Sequence, residues 1–217
     1  MVYYSQDNKN TNERVKNPNY TDYRCGVYAI TYWEWKDAEE QGSPYNIPDY
    51  EADNYIQTIY SRVRFTMDEI NIMKILPDFK GLLIDWNEVS NYSAPATMCE
   101  DLNLSRIRRE RGTKANIYTS EDSIFQKLGS IGNITKINKI DDLKAGEKAI
   151  LLMGNNNGIP QHYIFAYGSN QLDAEGHVIM RIIDPADGVD VSTYGNIRNW
   201  KGTTSCDFLN TIIKFGH

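Results

Sequence analysis

The sequence predicts an α+β domain, and three observations carry that prediction. Helix-like apolar spacing occupies the front of the chain, from Asp22 to about Glu40 and in pieces beyond. After Lys136 the pattern changes to β-rich runs, Ala149 to Met153, His162 to Tyr167 and His177 to Ile183, separated by turn-formers. The links between these runs, Asn155 to Gly158 and Gly168 to Gly176, are short enough to favour antiparallel neighbours. Helices followed by strands read as α+β.

The first helix is expected from Asp22, a possible cap, with Cys25 in its first turn and Val27, Ile30 and Trp33 or Trp35 on its apolar face. Gly42, Ser43 and Pro44 stop it. Because it is apolar around most of its circumference, burial against the rest of the fold is expected, with Tyr32 to Trp35 as core and cleft wall. From Pro48 to about Gly129 the chain reads as helical pieces and loops: Glu51 to Val63, Met67 to Leu76 ended by Pro77, and Glu121 to Leu128 capped by Ser120 and closed by Gly129. Val189 to Val191 and Phe208 to Phe215 supply further strand candidates. Residues 1–20 are a polar lead-in, residues 21–217 a single domain, and about 44–135 a helical and loop insert within it.

Composition narrows the function classes. The 217 residues are 41% hydrophobic and 24% charged, ordinary values for a globular domain that can bury a sizeable core. A net charge of -6 argues against general nucleic-acid binding, and the one basic cluster, Arg106 to Arg111, reads as a solvated face. The longest apolar stretches fall far below the roughly 18 residues a membrane span needs. The first residues show no basic segment followed by an apolar one, so the expected location is the cytoplasm, or export as an effector without a cleavable signal peptide. No Gly-rich phosphate loop is present, and Asp184, Asp187 and Gly188 lack the periodic oxygen ligands of a calcium loop. No metal and no cofactor is expected.

The three cysteines, Cys25, Cys99 and Cys206, form no CxxC pair, which favours free thiols and makes a single reactive one worth seeking. Cys25 falls at a helix N-terminus, where free backbone N–H groups favour a thiolate. Cys99 and Cys206 have no placed base and read as inert. A thiol nucleophile needs a base, and the base an orienting acceptor. Of the three histidines, His217 is terminal and His177 follows an exposed Glu-Gly turn, whereas His162 opens an apolar strand. Asp184 ends the next strand, and antiparallel pairing brings the start of one strand beside the end of its neighbour. Cys25, His162 and Asp184 are therefore the candidate catalytic residues.

Three segments carry a family resemblance: Asn19 to Gly26, Gln161 to Gly168, and Ile183 to Gly188. In order and placement they resemble the papain-fold cysteine peptidases, closest to the C39-like, bacteriocin-leader-processing subgroup. The approach Asp141 to Lys148 and the late Trp200-Lys201-Gly202 resemble the same family. The resemblance implies a papain-like fold, with an N-terminal nucleophile helix packed on a C-terminal antiparallel β-sheet and a helical insert between them. It also implies Cys25 as nucleophile, His162 as general base and acid, and Asp184 as the orienter of the imidazole. The family's oxyanion-hole glutamine stands six residues before the nucleophile, where this chain has Asn19, a shorter amide donor.

The expected activity is a cysteine hydrolase, peptidase or amidase, attacking an amide carbonyl. Its substrate would be a peptide, a protein or a peptidoglycan cross-bridge. A glutamine deamidase and a non-catalytic papain-like scaffold that binds a protein partner are the alternatives. Fold and triad define the reaction class, and the cleft defines the substrate.

Overall fold

The computed structural model describes residues 25–42, 59, 62–77, 84–89, 92–104, 113–120, 134–137, 139–154, 160–185, 190–193 and 207–216. Among the described residues of the front half, four helices of four or more residues occur: α1 (Cys25–Glu40), α2 (Met67–Ile75), α3 (Trp86–Val89) and α4 (Pro95–Leu104). Seven strands follow: β1 (Ala115–Ser120), β2 (Ile134–Ile137), β3 (Lys148–Gly154), β4 (Pro160–Leu172), β5 (Val178–Ile183), β6 (Asp190–Thr193) and β7 (Asp207–Phe215). They form one sheet in the order β2-β1-β7-β3-β4-β5-β6. β1 and β2 run parallel and every other neighbouring pair is antiparallel, so the architecture is α+β with a mixed sheet.

Two expectations are corrected here. The sheet is not purely antiparallel, because β1 and β2 pair in parallel. The middle of the chain is not only helix and loop, because Ala115–Ser120 enters the sheet between β2 and β7. The first helix and the back-half strands fall on the expected runs, except that β4, which begins at Pro160, continues to Leu172 and so takes in the first half of the expected link from Gly168 to Gly176. The expected helix over Glu121 to Leu128, most of the one over Glu51 to Val63, and the lead-in 1–20 lie outside the described residues.

Alternation of side chains across the sheet generates two cores. One face carries Ile150, Leu152, Phe165, Ile213 and Phe215, which pack against the helices. The other carries Ala149, Leu151, Ile164, Ile182 and Ile212, covered by Ile140 and Leu143 from the approach to β3. β3 is buried on both faces, which is why its sequence reads as an unbroken apolar run. On the helical side Trp33 of α1 sits 5.9 Å from Phe165 and 5.5 Å, edge-on, from Phe215.

α1 lies parallel to β4 and antiparallel to β3, and its two ends are tied differently. At the C-terminal end, buried Lys148 at the start of β3 pairs with Asp37 at 2.8 Å and Glu40 at 2.5 Å. Gly42, at φ 70°, then takes the left-handed conformation that ends the helix. At the N-terminal end, Cys25 meets the start of β4.

The other helices are positioned by local signals. α2 opens on a capping box, with the Glu69 N–H donating to Thr66 Oγ1 at 3.2 Å and the Thr66 N–H donating to Glu69 Oε2 at 2.8 Å. α4 begins with Pro95, a residue suited to the first helical position. The Asn103 side chain clasps Ala115 through two hydrogen bonds, at 2.8 and 3.1 Å, and so joins α4 to β1.

Candidate active site

Cys25 is the first residue of α1 and is 5% exposed. The first N–H groups of a helix have no intrahelical acceptor and present partial positive charge. His162 lies near the start of β4, and Asp184 directly follows β5. In the β4–β5 ladder Phe165 opposes Ile183 and Ala166 opposes Ile182. Continued by one step, that register sets Asp184 opposite Ile164, two residues along β4 from His162. The two side chains meet, His162 Nε2 lying 2.7 Å from Asp184 Oδ1.

Asp184 engages Nε2, and the Cys25 thiol also hydrogen-bonds the ring. Burial works against a charged imidazole. The hydrogen bonds to Asp184 and Cys25, with the negative charge of both, outweigh it and raise the pKa of His162 to about 10. A ring that keeps its proton at neutral pH offers a cation to the sulfur beside it.

Two neighbouring residues shape this centre. Tyr163, next to the histidine, donates its phenol to the Ser93 carbonyl oxygen at 2.8 Å. Burial above all, and then the charges of Cys25 and Glu69, hold that phenol well above its ordinary pKa. Gly26, next to the cysteine, has no room for a side chain. A Cβ there would fall 2.5 Å from Ser93 Cβ and 2.9 Å from Met98 Sδ. The segment before α4 thus packs directly on the start of α1.

Of the residues singled out in the sequence, Cys25, His162 and Asp184 come together at one end of α1. Asn19, the candidate oxyanion donor, lies outside the described residues, as do Asp22, Asp187, Cys206 and His217. Cys99 is buried elsewhere, donating to the Ala115 carbonyl oxygen at 3.0 Å, and burial, reinforced by Glu100, pushes its thiol up to about 12. Ser93 carries no local signal in the sequence; only the packing of its segment on the start of α1 brings it beside Gly26.

Asp173, Glu175 and His177 have ligand-type atoms within 4.8 Å of one another on the β4–β5 turn. Asp173 Oδ1 already accepts from the N–H groups of Glu175 and His177, at 2.9 and 2.8 Å, so hairpin chemistry accounts for this group. No helix among the described residues is long and apolar enough to cross a membrane. No protein-family model, curated protein or solved structure matches the chain.

Proposed function

We propose that the protein is a cysteine hydrolase of papain-like arrangement that cleaves an amide bond, with Cys25 as nucleophile, His162 as general acid and base, and Asp184 as orienter of the imidazole. The observation that carries the reading is the buried chain Cys25–His162–Asp184, with Nε2 held 2.7 Å from the carboxylate and the ring hydrogen-bonded to the thiol. A helix that presents the thiol to a sheet hairpin bearing base and carboxylate supports the papain-like reading.

The chemistry follows from the proton positions. The Cys25 thiolate forms a bond to the substrate carbonyl carbon, and the carbonyl π pair moves onto oxygen. Collapse of that adduct breaks the C–N bond, and the His162 imidazolium gives its proton to the departing nitrogen. The neutral ring then takes a proton from water as the water oxygen attacks the thioester. Departure of the thiolate restores the ion pair. Asp184 holds the ring tautomer and stabilises its charged form throughout. A peptide, a peptidoglycan cross-bridge or a glutamine side chain presents the carbonyl this sequence of steps requires.

The 5% exposure of Cys25 favours a second reading, a scaffold that binds a protein partner without turnover. Hydrolysis separates the two. Wild type, Cys25→Ala and His162→Ala would be incubated with a peptide library, peptidoglycan fragments and glutamine-containing peptides, and products read by mass spectrometry. Turnover by wild type that is lost in both variants, with near-UV circular dichroism unchanged, is the expected result. No turnover of any of the three substrate classes by folded wild type favours the scaffold.

A further inference from the structure

Ser93 is 2% exposed, and its hydroxyl has no hydrogen-bond partner among the described residues. A buried hydroxyl left without a partner carries a desolvation cost, so its presence in a close-packed region calls for a function. Its surroundings indicate which one. Ser93 Oγ lies 2.6 Å from the point where a Gly26 Cβ would stand, which sets it beside the residue that follows the nucleophile. Its own carbonyl oxygen is held at 2.8 Å by Tyr163, the residue that follows the base. The Tyr163 phenol on the base side and the close approach of Gly26 on the nucleophile side therefore fix Ser93, while its hydroxyl proton remains uncommitted.

We propose that Ser93 is a further catalytic residue of this centre, its hydroxyl donating a hydrogen bond to the substrate oxygen that becomes negative when Cys25 adds to the carbonyl. This assignment rests on the reading of Cys25 as an acyl-transfer nucleophile and names a donor that the sequence did not suggest. When the sulfur–carbon bond forms, the carbonyl π pair moves onto oxygen. That oxygen accepts from Ser93 Oγ and from the N–H of Cys25, which as the first residue of α1 has no intrahelical acceptor among the described residues. When the adduct collapses the pair returns to carbon and the leaving group departs. Ser93 gives up no proton.

Ser93 forms no hydrogen bond with the Cys25 sulfur, and this separates its role from the activation of the thiol. Two reactions of the same sulfur distinguish the two. Iodoacetamide is attacked at a saturated carbon and expels iodide, with no oxyanion. p-Nitrophenyl acetate is attacked at a carbonyl, passes through an oxyanion and expels p-nitrophenolate. Both rates would be measured on wild type, Cys25→Ala, Ser93→Ala and Tyr163→Phe, with alkylation read at Cys25 by mass spectrometry.

The expected result for Ser93→Ala is acylation slowed about 100-fold, as for loss of one oxyanion donor, with alkylation unchanged. The fold is not at risk, because Tyr163 bonds the backbone of residue 93 and the substitution removes an unsatisfied group. Tyr163→Phe, which releases the Ser93 carbonyl, is expected to slow acylation about tenfold and to leave alkylation unchanged. Equal slowing of both reactions in Ser93→Ala would mean that Ser93 supports the thiol, and would overturn the assignment. No change in either reaction would overturn it as well. Wild type that releases p-nitrophenolate no faster than Cys25→Ala would contradict the acyl-transfer reading itself, and the role of Ser93 would fall with it.

Discussion

His162 Nε2 stands 2.7 Å from Asp184 Oδ1, with both side chains buried at one end of the sheet. The pair couples pH to stability. The folded ring holds its proton to about pH 10, whereas an unfolded histidine releases it near pH 6.5. The stability this pair contributes is therefore complete below about pH 6.5 and is lost as pH rises through about 10. Asp184→Asn is expected to lower stability at pH 7 by about 1–3 kcal/mol and to flatten the alkaline decline. Urea unfolding from pH 6 to pH 10 reads both; a variant curve parallel to wild type would show that the pair does not govern the slope.

Gly26→Ala reverses the usual sign of a glycine substitution in a helix. Alanine ordinarily gains about 1 kcal/mol there. At this position the new Cβ meets Ser93 Cβ at 2.5 Å and Met98 Sδ at 2.9 Å, and such overpacking costs about 1–3 kcal/mol. The expected outcome is a lower Tm, read by differential scanning calorimetry; a Tm at or above wild type would mean the approach of α4 to α1 is looser than described.

Lys148 is 3% exposed and bridges β3 to the end of α1 through Asp37, itself 8% exposed. Lys148→Met removes the cation beside a buried carboxylate and is expected to cost about 3 kcal/mol, the low end for breaking a buried pair because Glu40 remains accessible. Adding Asp37→Leu should return most of that loss. Chemical denaturation of the single and double variants decides the matter: a single variant within about 0.5 kcal/mol of wild type would mean the bridge contributes little.

Glu34, on α1, is raised to about 7 by burial, then by the negative charge of Asp101, against the opposing Arg62 guanidinium. Because the folded state holds this proton more tightly than the unfolded one, the stability it confers is present below about pH 4.5 and lost as pH rises through about 7. Glu34→Gln, uncharged throughout, should match wild type at pH 5 and exceed it in Tm by roughly 2–4 °C at pH 8. Equal Tm at both pH values would exclude a buried charge at this position.

Much of this arrangement was legible because it follows local rules. The hairpin that brings His162 to Asp184 needs only two apolar runs, a short link and antiparallel pairing. The position of Cys25 at a helix start follows from the apolar pattern after Asp22 and the stop at Gly42. β1 was missed although Ala115 and Ile117 alternate with Asn116 and Tyr118. Six residues amid helix-like segments give a weak period-2 signal, and the strand's partners, β2 and β7, are supplied by the sheet. β2 spans four residues, too few for a pattern. Ser93 and Gly26 meet through packing between segments distant in sequence, which no periodicity encodes.

The measurement that tests the central claim most directly is the pH dependence of iodoacetamide alkylation, read cysteine by cysteine, on wild type and His162→Ala. Cys99, buried with its pKa at about 12, serves as an internal control that stays unmodified until unfolding. The account predicts rapid alkylation of Cys25 at about pH 6 and loss of that reactivity in His162→Ala. A Cys25 that reacts only above about pH 8, equally in both proteins, would contradict a thiolate–imidazolium pair and with it the hydrolase.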